Sequence, residues 1–518
     1  MKRKVSSMFS RVISGTVAGM DGILIHVEAD VVSGLPIFNM VGYLASEVKE
    51  ARERVRIAMK NAGYPLLPKR ITVNLSPADL RKEGTGFDLA IAIALLVAVG
   101  VISSEKLEGT VLVGELSLNG ELARINGVLP IVYEAKRAGM HQVILPKSNE
   151  LEGAVVEGIG VIGVTNLNEV VEYLTGKRYI EPAYVDVDAM FEKDKYINEE
   201  DFKEVVGQAV AKRAIEIAVS GMHNLLLIGP PGAGKTMLAK RIPSIMPALT
   251  FDESIEISKI YSISGLLGED DAMIHRRPFR TPHHTITESA LVGGGRLAKP
   301  GEISLATGGV LFLDELPEFR KGTLELLRQP LEERRVTITR HSGTYQYPSN
   351  MMLVAAMNPC NCGYYPDRNH CNCTPLEVKK YLSKISKPLL DRIDIVIEAQ
   401  RIEYKELEDG QVQESSADIR KRIERARSIQ YKRYQKEGIY FNAELSPQLI
   451  EKYCVLGKSE KRMIAAIFDK MCLSARGYHR ILKVARTIAD LDAEERIQSK
   501  HLTEAICYRS LDQKYWGE

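Results

Sequence analysis

A glycine-rich segment follows a short apolar run near the middle of the chain. The apolar residues at 225–228 precede the pattern G-x-x-x-x-G-K-[ST], and a helix-like stretch comes after it. In such a loop (P-loop), backbone N–H groups surround phosphate oxygens and the lysine reaches the β and γ phosphates. A tight turn without a ligand is the alternative, which the flanking strand and helix disfavour. The pattern predicts an ATP site formed by Gly229, Pro230, Pro231, Gly232, Ala233, Gly234, Lys235, Thr236 and Met237.

A second apolar run, at 309–313, ends in the two carboxylates Asp314 and Glu315. As a buried strand it carries Asp314 to the edge of the sheet beside the P-loop, where Asp314 and Thr236 are expected to hold Mg²⁺. Glu315 is then placed to polarise the water that attacks the γ-phosphate. An apolar strand ending in Asp-Glu is common by itself, so this prediction depends on the P-loop.

Three more polar residues complete a candidate catalytic assembly. Asn358 ends a third apolar run, at 350–358, and is a candidate sensor of the γ-phosphate. Arg392 lies between a helix end and a new strand, and Arg476 lies at the start of a later helix. Arginines that neutralise charge on a transferring phosphoryl group contribute about 10³–10⁵ in rate in related enzymes. Taken singly, each arginine is also typical of a surface ion pair.

Four of the seven cysteines fall in one loop as two C-x-C pairs, Cys360 with Cys362 and Cys371 with Cys373. In a reducing compartment, four such thiolates can converge on a tetrahedral ion, and we expect structural Zn²⁺. His370 is an alternative ligand, and reduced free thiols or a disulfide pair are alternative states of the loop.

Composition is typical of a globular protein. The chain has 518 residues, of which 26% are charged and 45% hydrophobic, and its formal net charge is +2. The longest apolar stretch, at 89–102, is interrupted by Gly100 and is shorter than the roughly eighteen residues a membrane crossing needs. It predicts a buried helix. The basic residues at 1–4 are followed by serines rather than by an apolar segment, so we expect a cytoplasmic protein without a secretory signal or a membrane partner.

The pattern of elements predicts an α/β protein of about three domains. We expect a mixed domain at 1–178, an acidic linker at 179–201, an ATPase core at 202–400 and a helical lid at 401–518. In the first domain, strands are expected at 22–29, 70–74, 109–113 and 142–145, and helices at 45–62 and 88–99.

The order of these motifs resembles that of the AAA+ ATPases of the magnesium-chelatase-like branch, and in particular the bacterial ComM/YifB family. The matching blocks extend over the whole chain and include 206–208, 280–285, 293–296, 299–303 and the four-cysteine loop. The resemblance implies that Gly207 and Gln208 belong to the nucleotide site and that the subunits form a ring, expected to be a hexamer. Asn358 takes the role of sensor 1, Arg392 that of an arginine finger acting on a neighbour, and Arg476 that of sensor 2. Whether Arg476 acts within its own subunit is left open.

The first domain is similar to the Lon-protease fold (ribosomal S5 domain 2-like) in the blocks 114–120, 137–139 and 143–146. Aligned on 82–84, the serine nucleophile position of that fold falls on Gly86 and the dyad lysine position on Leu129. Without a hydroxyl nucleophile and an amine base there is no acylation route, so we expect a non-proteolytic scaffold or substrate-contact module. Ser76 and Thr85 leave a displaced nucleophile as the alternative.

Two loops of the predicted core are candidates for contacting DNA. The loop at 272–300 is locally basic against a single acid, Glu288, and residues 336–348 alternate like a hairpin with a turn at Ser342. Together they are expected to line a ring's channel and hold a phosphate backbone, whereas subunit packing is the alternative. Their basic residues are Arg276, Arg277, Arg280, Arg296, Lys299, Arg340 and His341.

A helix expected to begin near Ser415, with Asp418 at capping-box distance, is also strongly basic against the acid Glu424. Such density indicates an anionic partner, although a solvated face packed on the lid is an equal alternative. The basic residues are Arg420, Lys421, Arg422, Arg425, Arg427, Lys432, Arg433 and Lys436.

The leading hypothesis is an oligomeric AAA+ motor that hydrolyses ATP, with Mg²⁺, to translocate on or remodel DNA. By the family resemblance this would be a branch-migration or helicase-like activity in recombination or natural transformation. A protein-remodelling or metal-insertion ATPase, as in magnesium chelatase, is the competing class. An inactive nucleotide-dependent module is disfavoured because Lys235, Asp314 and Glu315 are all present.

Overall fold

A computed structural model describes residues 8–194, 200–296, 298–340, 343–367, 369–401, 413–471 and 473–517. The chain divides into two compact units. The first contains the described residues of Met1–Lys193 together with Phe251–His275 and Ile338–Gln346. The second contains those of Asp194–Thr250, Arg276–Thr337 and Tyr347–Glu518.

The first unit is built on a seven-stranded sheet in the order β3-β4-β2-β1-β5-β8-β9, with β6 and β7 paired separately. Strands β1 and β2 form an antiparallel hairpin, β4 is antiparallel to β2, and the remaining neighbours are parallel. The strands are β1 Met8–Ala18, β2 Asp21–Val32, β3 Ile37–Val41, β4 Arg70–Ser76, β5 Thr110–Leu112, β6 Glu115–Leu116, β7 Leu122–Ala123, β8 Gln142–Pro146 and β9 Gly160–Val164.

Helices cover this sheet, and the predicted strands and helices of the first domain are all confirmed. The helix Asp88–Ala98 is buried along almost its whole length, which accounts for the long apolar stretch in the sequence. The interval predicted as an acidic linker contains the helix Val187–Asp194, whose Met190 packs against an apolar cluster that includes Val143. The helices of this unit are Ser46–Asn61, Asp88–Ala98, Val128–Arg137, Glu150–Ala154, Leu167–Leu174, Val187–Asp194 and Phe251–Ser264.

The second unit is built on a parallel five-stranded sheet in the order β11-β14-β17-β10-β18. Its three central strands are buried throughout, as expected for a parallel sheet covered on both faces. The runs that predict β10, β14 and β17 from the sequence are confirmed as strands. The strands that follow β9 in the chain are β10 Leu225–Ile228, β11 Phe279–Arg280, β12 Gly293–Gly294, β13 Lys299–Pro300, β14 Val310–Leu313, β15 Arg335–Arg340, β16 Gly343–Pro348, β17 Met352–Met357 and β18 Ile395–Glu398, with β12–β13 and β15–β16 as separate pairs. Of the β15–β16 pair, the described residues of Ile338–Gln346 belong to the first unit.

The C-terminal part of the second unit is helical, as predicted, and shares one apolar core with the sheet. Ile419 and Ile488 belong to the same buried cluster as Leu225 and Val354. The helices of the whole second unit are Ala209–Gly221, Lys235–Lys240, Ile242–Ile245, Glu288–Val292, Glu302–Leu305, Lys321–Glu325, Arg328–Glu333, Pro375–Leu382, Lys387–Leu390, Ser416–Tyr434, Pro447–Tyr453, Lys458–Lys470, Ala475–Leu491 and Ser499–Trp516. None of the helices in the described part of the chain has the length and apolar character that crossing a bilayer requires.

Candidate nucleotide-binding site

The glycine-rich loop connects β10 to the helix Lys235–Lys240. Gly232 and Gly234 have φ angles of +77° and +76°, a left-handed conformation that glycine adopts without steric cost. Strand β10 lies between β17 and β18, so the loop leaves the sheet at the shared carboxyl edge of parallel strands. Open α/β sheets bind their ligands at this edge.

A cavity of about 600 Å³ lies over the loop. It brings together most of the predicted site residues: Pro231, Gly232, Ala233, Gly234, Lys235, Thr236, Met237, Asp314, Glu315 and Asn358. Glu318, Met357, Asn361 and Tyr381 complete its wall. Gly207, Gln208, Gly229 and Pro230, all described in the structure, lie outside this lining.

Gln208 supports the loop from behind. Its φ is +58°, and its side-chain amide donates hydrogen bonds to the backbone oxygens of Ala233, at 3.2 Å, and Gln400, at 2.5 Å. These bonds tie the glycine-rich loop to the chain that follows β18. Gln208 therefore holds the loop in place from outside the cavity.

Lys235 is the central cation of the cavity. Its Nζ donates hydrogen bonds to the backbone oxygens of Gly229 and Pro230, at 2.8 and 2.9 Å, and to Oδ1 of Asn358 at 3.1 Å. Burial lowers the pKa of Lys235, while the charge of Asp314 acts in the opposite direction. Phosphate oxygens near Nζ would offset the cost of burying this charge.

Thr236 and Asp314 meet across the cavity although they are far apart in sequence. The hydroxyl of Thr236 donates a 2.7 Å hydrogen bond to Oδ2 of Asp314. A hydroxyl and a carboxylate are hard oxygen ligands of the kind Mg²⁺ prefers, and Mg²⁺ usually takes only one or two such ligands from the protein. The pair therefore fits a magnesium ion that also contacts a triphosphate.

Glu315 follows Asp314 in a strained backbone conformation. Its φ of +52° is left-handed, which is uncommon for a residue with a side chain and is concentrated at functional sites. Its N–H donates to Oδ1 of Asp314 at 2.9 Å, and its carboxylate is largely exposed, with Nδ1 of His284 3.8 Å away. The carboxylate is therefore accessible to water at the cavity's edge.

Arg392 and Arg476 lie together in a second cavity of about 570 Å³, separate from the lining that contains Lys235. Glu332 contacts both arginines: it pairs with Nη2 of Arg392 and lies 3.4 Å from Nη2 of Arg476. Arg392 also donates to the backbone oxygens of Arg328, at 2.9 Å, and Pro388, at 2.7 Å. This cavity is rich in positive charge, because Arg334, Arg480 and Lys483 also line it.

The four cysteines converge as the sequence predicts. Their Sγ atoms all lie within 4.8 Å of one another, with Cys360 3.3 Å from Cys362 and 3.8 Å from Cys371. A tetrahedral ion with metal–sulfur bonds of about 2.3 Å places sulfurs roughly 3.8 Å apart, so the group can hold a metal. His370 lies outside the group, and its Nδ1 is 2.6 Å from Asp367 instead.

Several residues of both cavities carry no local signal in the sequence. Tyr381 lies on a helix that the sequence does not relate to the P-loop, and Glu332 is an ordinary acid of a short helix. For Asn361 the sequence gives only a weak indication of a place in the site, since it lies three residues after Asn358 and between two cysteines of the four-cysteine loop.

The basic residues proposed for DNA differ in exposure. Arg277 is partly buried and donates to the backbone oxygens of Pro247 and Gly308, and the partly buried Arg280 forms a bidentate pair with Glu302 at 2.7 Å. Arg276, Arg296, Lys299 and Arg340 are exposed, and Arg340 also donates to the backbone oxygen of Thr339 at 3.1 Å. His341 and Ser342 lie outside the described residues.

The basic helix Ser416–Tyr434 starts at the predicted Ser415 cap, and its arginines have partners within the chain. Arg420 donates to the backbone oxygen of Ser244, Arg422 pairs with Glu216 and Glu414, and Arg433 pairs with Asp490. These contacts favour the interpretation in which the helix packs on its neighbours.

Comparison with known proteins decides the family. Three models of the magnesium chelatase subunit ChlI match residues 27–149, 201–407 and 413–509. The competence protein ComM of Haemophilus influenzae is 41% identical over 497 residues, which cover 95% of this chain and 96% of the relative. The protein YifB of Escherichia coli (strain K12) is 42% identical over 498 residues, with 95% and 96% covered. The chain belongs to the ComM/YifB family of magnesium-chelatase-like AAA+ proteins.

Membership of the ComM/YifB family confirms the predicted fold class: an AAA+ core, a Lon-like α/β region and C-terminal helices. A Lon protease of Mycolicibacterium smegmatis is 27% identical over 177 residues, covering 32% of this chain and 22% of that protein. Gly86 and the buried Leu129, the residues predicted from the sequence to occupy the nucleophile and lysine positions, carry neither a hydroxyl nor an amine. The hydroxyl of Thr85 is bound to the carboxylate of Glu115.

Proposed function

We propose that this chain binds and hydrolyses ATP in the cavity above the P-loop. The observation that supports the proposal is the convergence of five residues on one cavity from the ends of two strands and from the P-loop and helix that follow a third: Lys235, Thr236, Asp314, Glu315 and Asn358. Family membership supports an ATPase of the AAA+ class. An assembly module that only binds nucleotide would not need the exposed carboxylate of Glu315 beside Thr236 and Asp314, the two candidate magnesium ligands.

Each side chain has a role that follows from its position. Lys235 gives up its bonds to Gly229, Pro230 and Asn358 and binds the β and γ phosphates. Asn358 then holds the γ-phosphate, and Glu315 orients the attacking water. When bound by Thr236 and Asp314, Mg²⁺ supplies positive charge to the β and γ phosphates. Gln208, which follows Gly207, acts indirectly because its side chain holds the loop in place.

We propose further that the subunits form a ring, expected to be hexameric, in which Arg392 and Arg476 act on the nucleotide of a neighbour. Both arginines line a cavity other than that of Lys235, which supports action between subunits for Arg476 as well as for Arg392. Arg334, Arg480 and Lys483, which line the same cavity, would bind the negatively charged triphosphate of a neighbouring subunit.

The proposed substrate of the motor is DNA. The Haemophilus influenzae relative is named a competence protein, and we carry a role in competence to this chain as part of the proposal. The exposed Arg296, Lys299 and Arg340 lie in the two basic loops and are the candidates for phosphate contacts. The affinity of such non-specific contacts for DNA falls as the salt concentration rises.

Branched, duplex and single-stranded DNA are each expected to raise the ATP hydrolysis rate of the full chain at moderate salt, and branched DNA is expected to have the largest effect. Arg296→Ala and Arg340→Ala are expected to reduce this stimulation several-fold while leaving the basal rate unchanged. Arg137→Ala, at another exposed arginine, is the matched control. The measurement is phosphate release with DNA binding at two salt concentrations.

Absence of both stimulation and salt-sensitive binding would reject DNA as the substrate. Stimulation by a protein partner instead would support the competing class of protein-remodelling or metal-insertion ATPases. That class is the alternative function because the three matching models describe a magnesium chelatase subunit.

We also propose Zn²⁺ as the ion of the four-cysteine site. Four thiolates form a soft donor set that selects zinc over magnesium, and the tetrahedral spacing agrees with a structural site. One zinc ion per chain is expected in the purified protein.

A further inference from the structure

The four-cysteine loop and the nucleotide cavity are continuous in the chain. Asn358 ends the run that contains β17 and lines the cavity, and Cys360 follows two residues later. Asn361, between Cys360 and Cys362, also lines the cavity. The segment that contains Cys360 and Cys362 therefore contributes Asn361 to the cavity wall.

A close backbone contact fixes this part of the loop against the P-loop. Gly363 has a φ of +88°, and a Cβ placed on it would lie 2.4 Å from Cδ of Pro231. Only glycine permits such an approach to a rigid proline ring. The loop is thus packed directly on the segment that surrounds the phosphates.

The second half of the four-cysteine site leads to a helix that also lines the cavity. Cys373 is followed by Thr374, which forms a capping box with Glu377 at the start of the helix Pro375–Leu382. That helix contains Tyr381, which lines the cavity. An ion shared by the two cysteine pairs would therefore connect the segment that contains Asn361 to the helix that contains Tyr381, and both residues line the cavity.

We propose that Asn361 contacts the phosphate end of bound ATP, and that a metal ion on the four thiolates sets the position of Asn361. Nucleotide affinity then depends on metal occupancy. The phosphate end is assigned because the cavity that Asn361 lines is the one formed by the P-loop, Asn358 and Glu315. The inference rests on the proposed function and deepens it, since it adds a residue and a control to the same site.

The first test measures equilibrium binding of a non-hydrolysable ATP analogue and of ADP, with Mg²⁺ present. Asn361→Ala is expected to weaken binding of the analogue about tenfold, because a hydrogen bond to a charged group is lost, and to change ADP binding less than twofold. Asn369→Ala, at an exposed asparagine of the same loop, is the control and is expected to bind both like the parent.

The second test removes the metal without changing Asn361. The protein is stripped with a chelator, desalted and returned to Mg²⁺, after which its zinc content and analogue affinity are measured. We expect zinc to be lost and the analogue to bind about tenfold more weakly, with both restored on adding Zn²⁺. Cys362→Ser is expected to behave like the stripped protein, and His370→Ala to keep both zinc and affinity.

The outcomes separate this inference from the proposed function. Purified protein without metal, or stripped protein and Asn361→Ala with the parent's affinity, would overturn the inference while leaving the ATP site intact. If Lys235→Ala also binds the analogue like the parent, the ATP site itself is wrong. Thermal unfolding of each variant shows whether a loss of affinity reflects loss of the fold.

Discussion

Glu315→Gln is expected to bind ATP as tightly as the parent protein and to hydrolyse it about 10²–10⁴ times more slowly. The amide keeps the size of the side chain but cannot accept the proton of the attacking water. Binding is retained because Lys235 and Asn358 contact the phosphates and the magnesium ligands Thr236 and Asp314 are unchanged. The measurements are phosphate release under saturating ATP and the dissociation constant of a non-hydrolysable analogue.

The second carboxylate of the cavity provides the control for this prediction. Glu318 lines the same wall but forms an ion pair with Lys384 at 3.0 Å. Glu318→Gln is expected to change turnover by less than about fivefold, since this group is already engaged and is not next to Asp314. Parent-like turnover in Glu315→Gln would remove Glu315 from the catalytic assembly.

Arg392→Ala is expected to lower ATP hydrolysis by about 10³ while nucleotide affinity stays close to that of the parent. Arg392 lies outside the cavity of its own Lys235, so its absence leaves the phosphate contacts of that subunit intact. Thermal unfolding is measured in parallel, because Arg392 also bonds the backbone at Arg328 and Pro388. Arg335→Ala, at an exposed arginine that pairs with Glu333, is the matched control.

Mixing experiments test whether Arg392 acts between subunits. Lys235→Ala and Arg392→Ala are each expected to be inactive, and an equimolar mixture is expected to regain measurable activity. In the mixture, an intact P-loop can meet an arginine from a neighbouring subunit. A mixture that assembles but stays as inactive as its components would contradict action between subunits.

The sequence predicts those parts of the site whose residues are close together along the chain. The P-loop is one continuous segment, and Asp314 and Asn358 each end an apolar run whose period and length predict a buried strand. Parallel strands place their carboxyl ends at one edge, so their convergence with Lys235 follows from the fold class. The four cysteines are equally local, and their approach is confirmed, whereas the identity of the ion stays a prediction.

The remaining residues depend on contacts between distant segments. Glu332 meets Arg392 and Arg476 across 60 and 144 positions, and nothing in its own neighbourhood indicates this. The basic helix shows the same limit, because Arg433 looks available in the sequence until its partner Asp490 is known. Local charge density predicts a charged surface only when no distant acid reaches it.

The carboxylate of Glu332 contacts the guanidinium groups of both Arg392 and Arg476, and this sharing affects how one subunit responds to the nucleotide of its neighbour. When Arg476 is withdrawn from Glu332, the undivided negative charge binds Arg392 more strongly, so release of one arginine makes release of the other more costly. An incoming triphosphate that engages both at once overcomes this resistance in a single event. Activity is then expected to rise with protein concentration more steeply than independent arginines would allow, and Glu332→Gln is expected to flatten that rise.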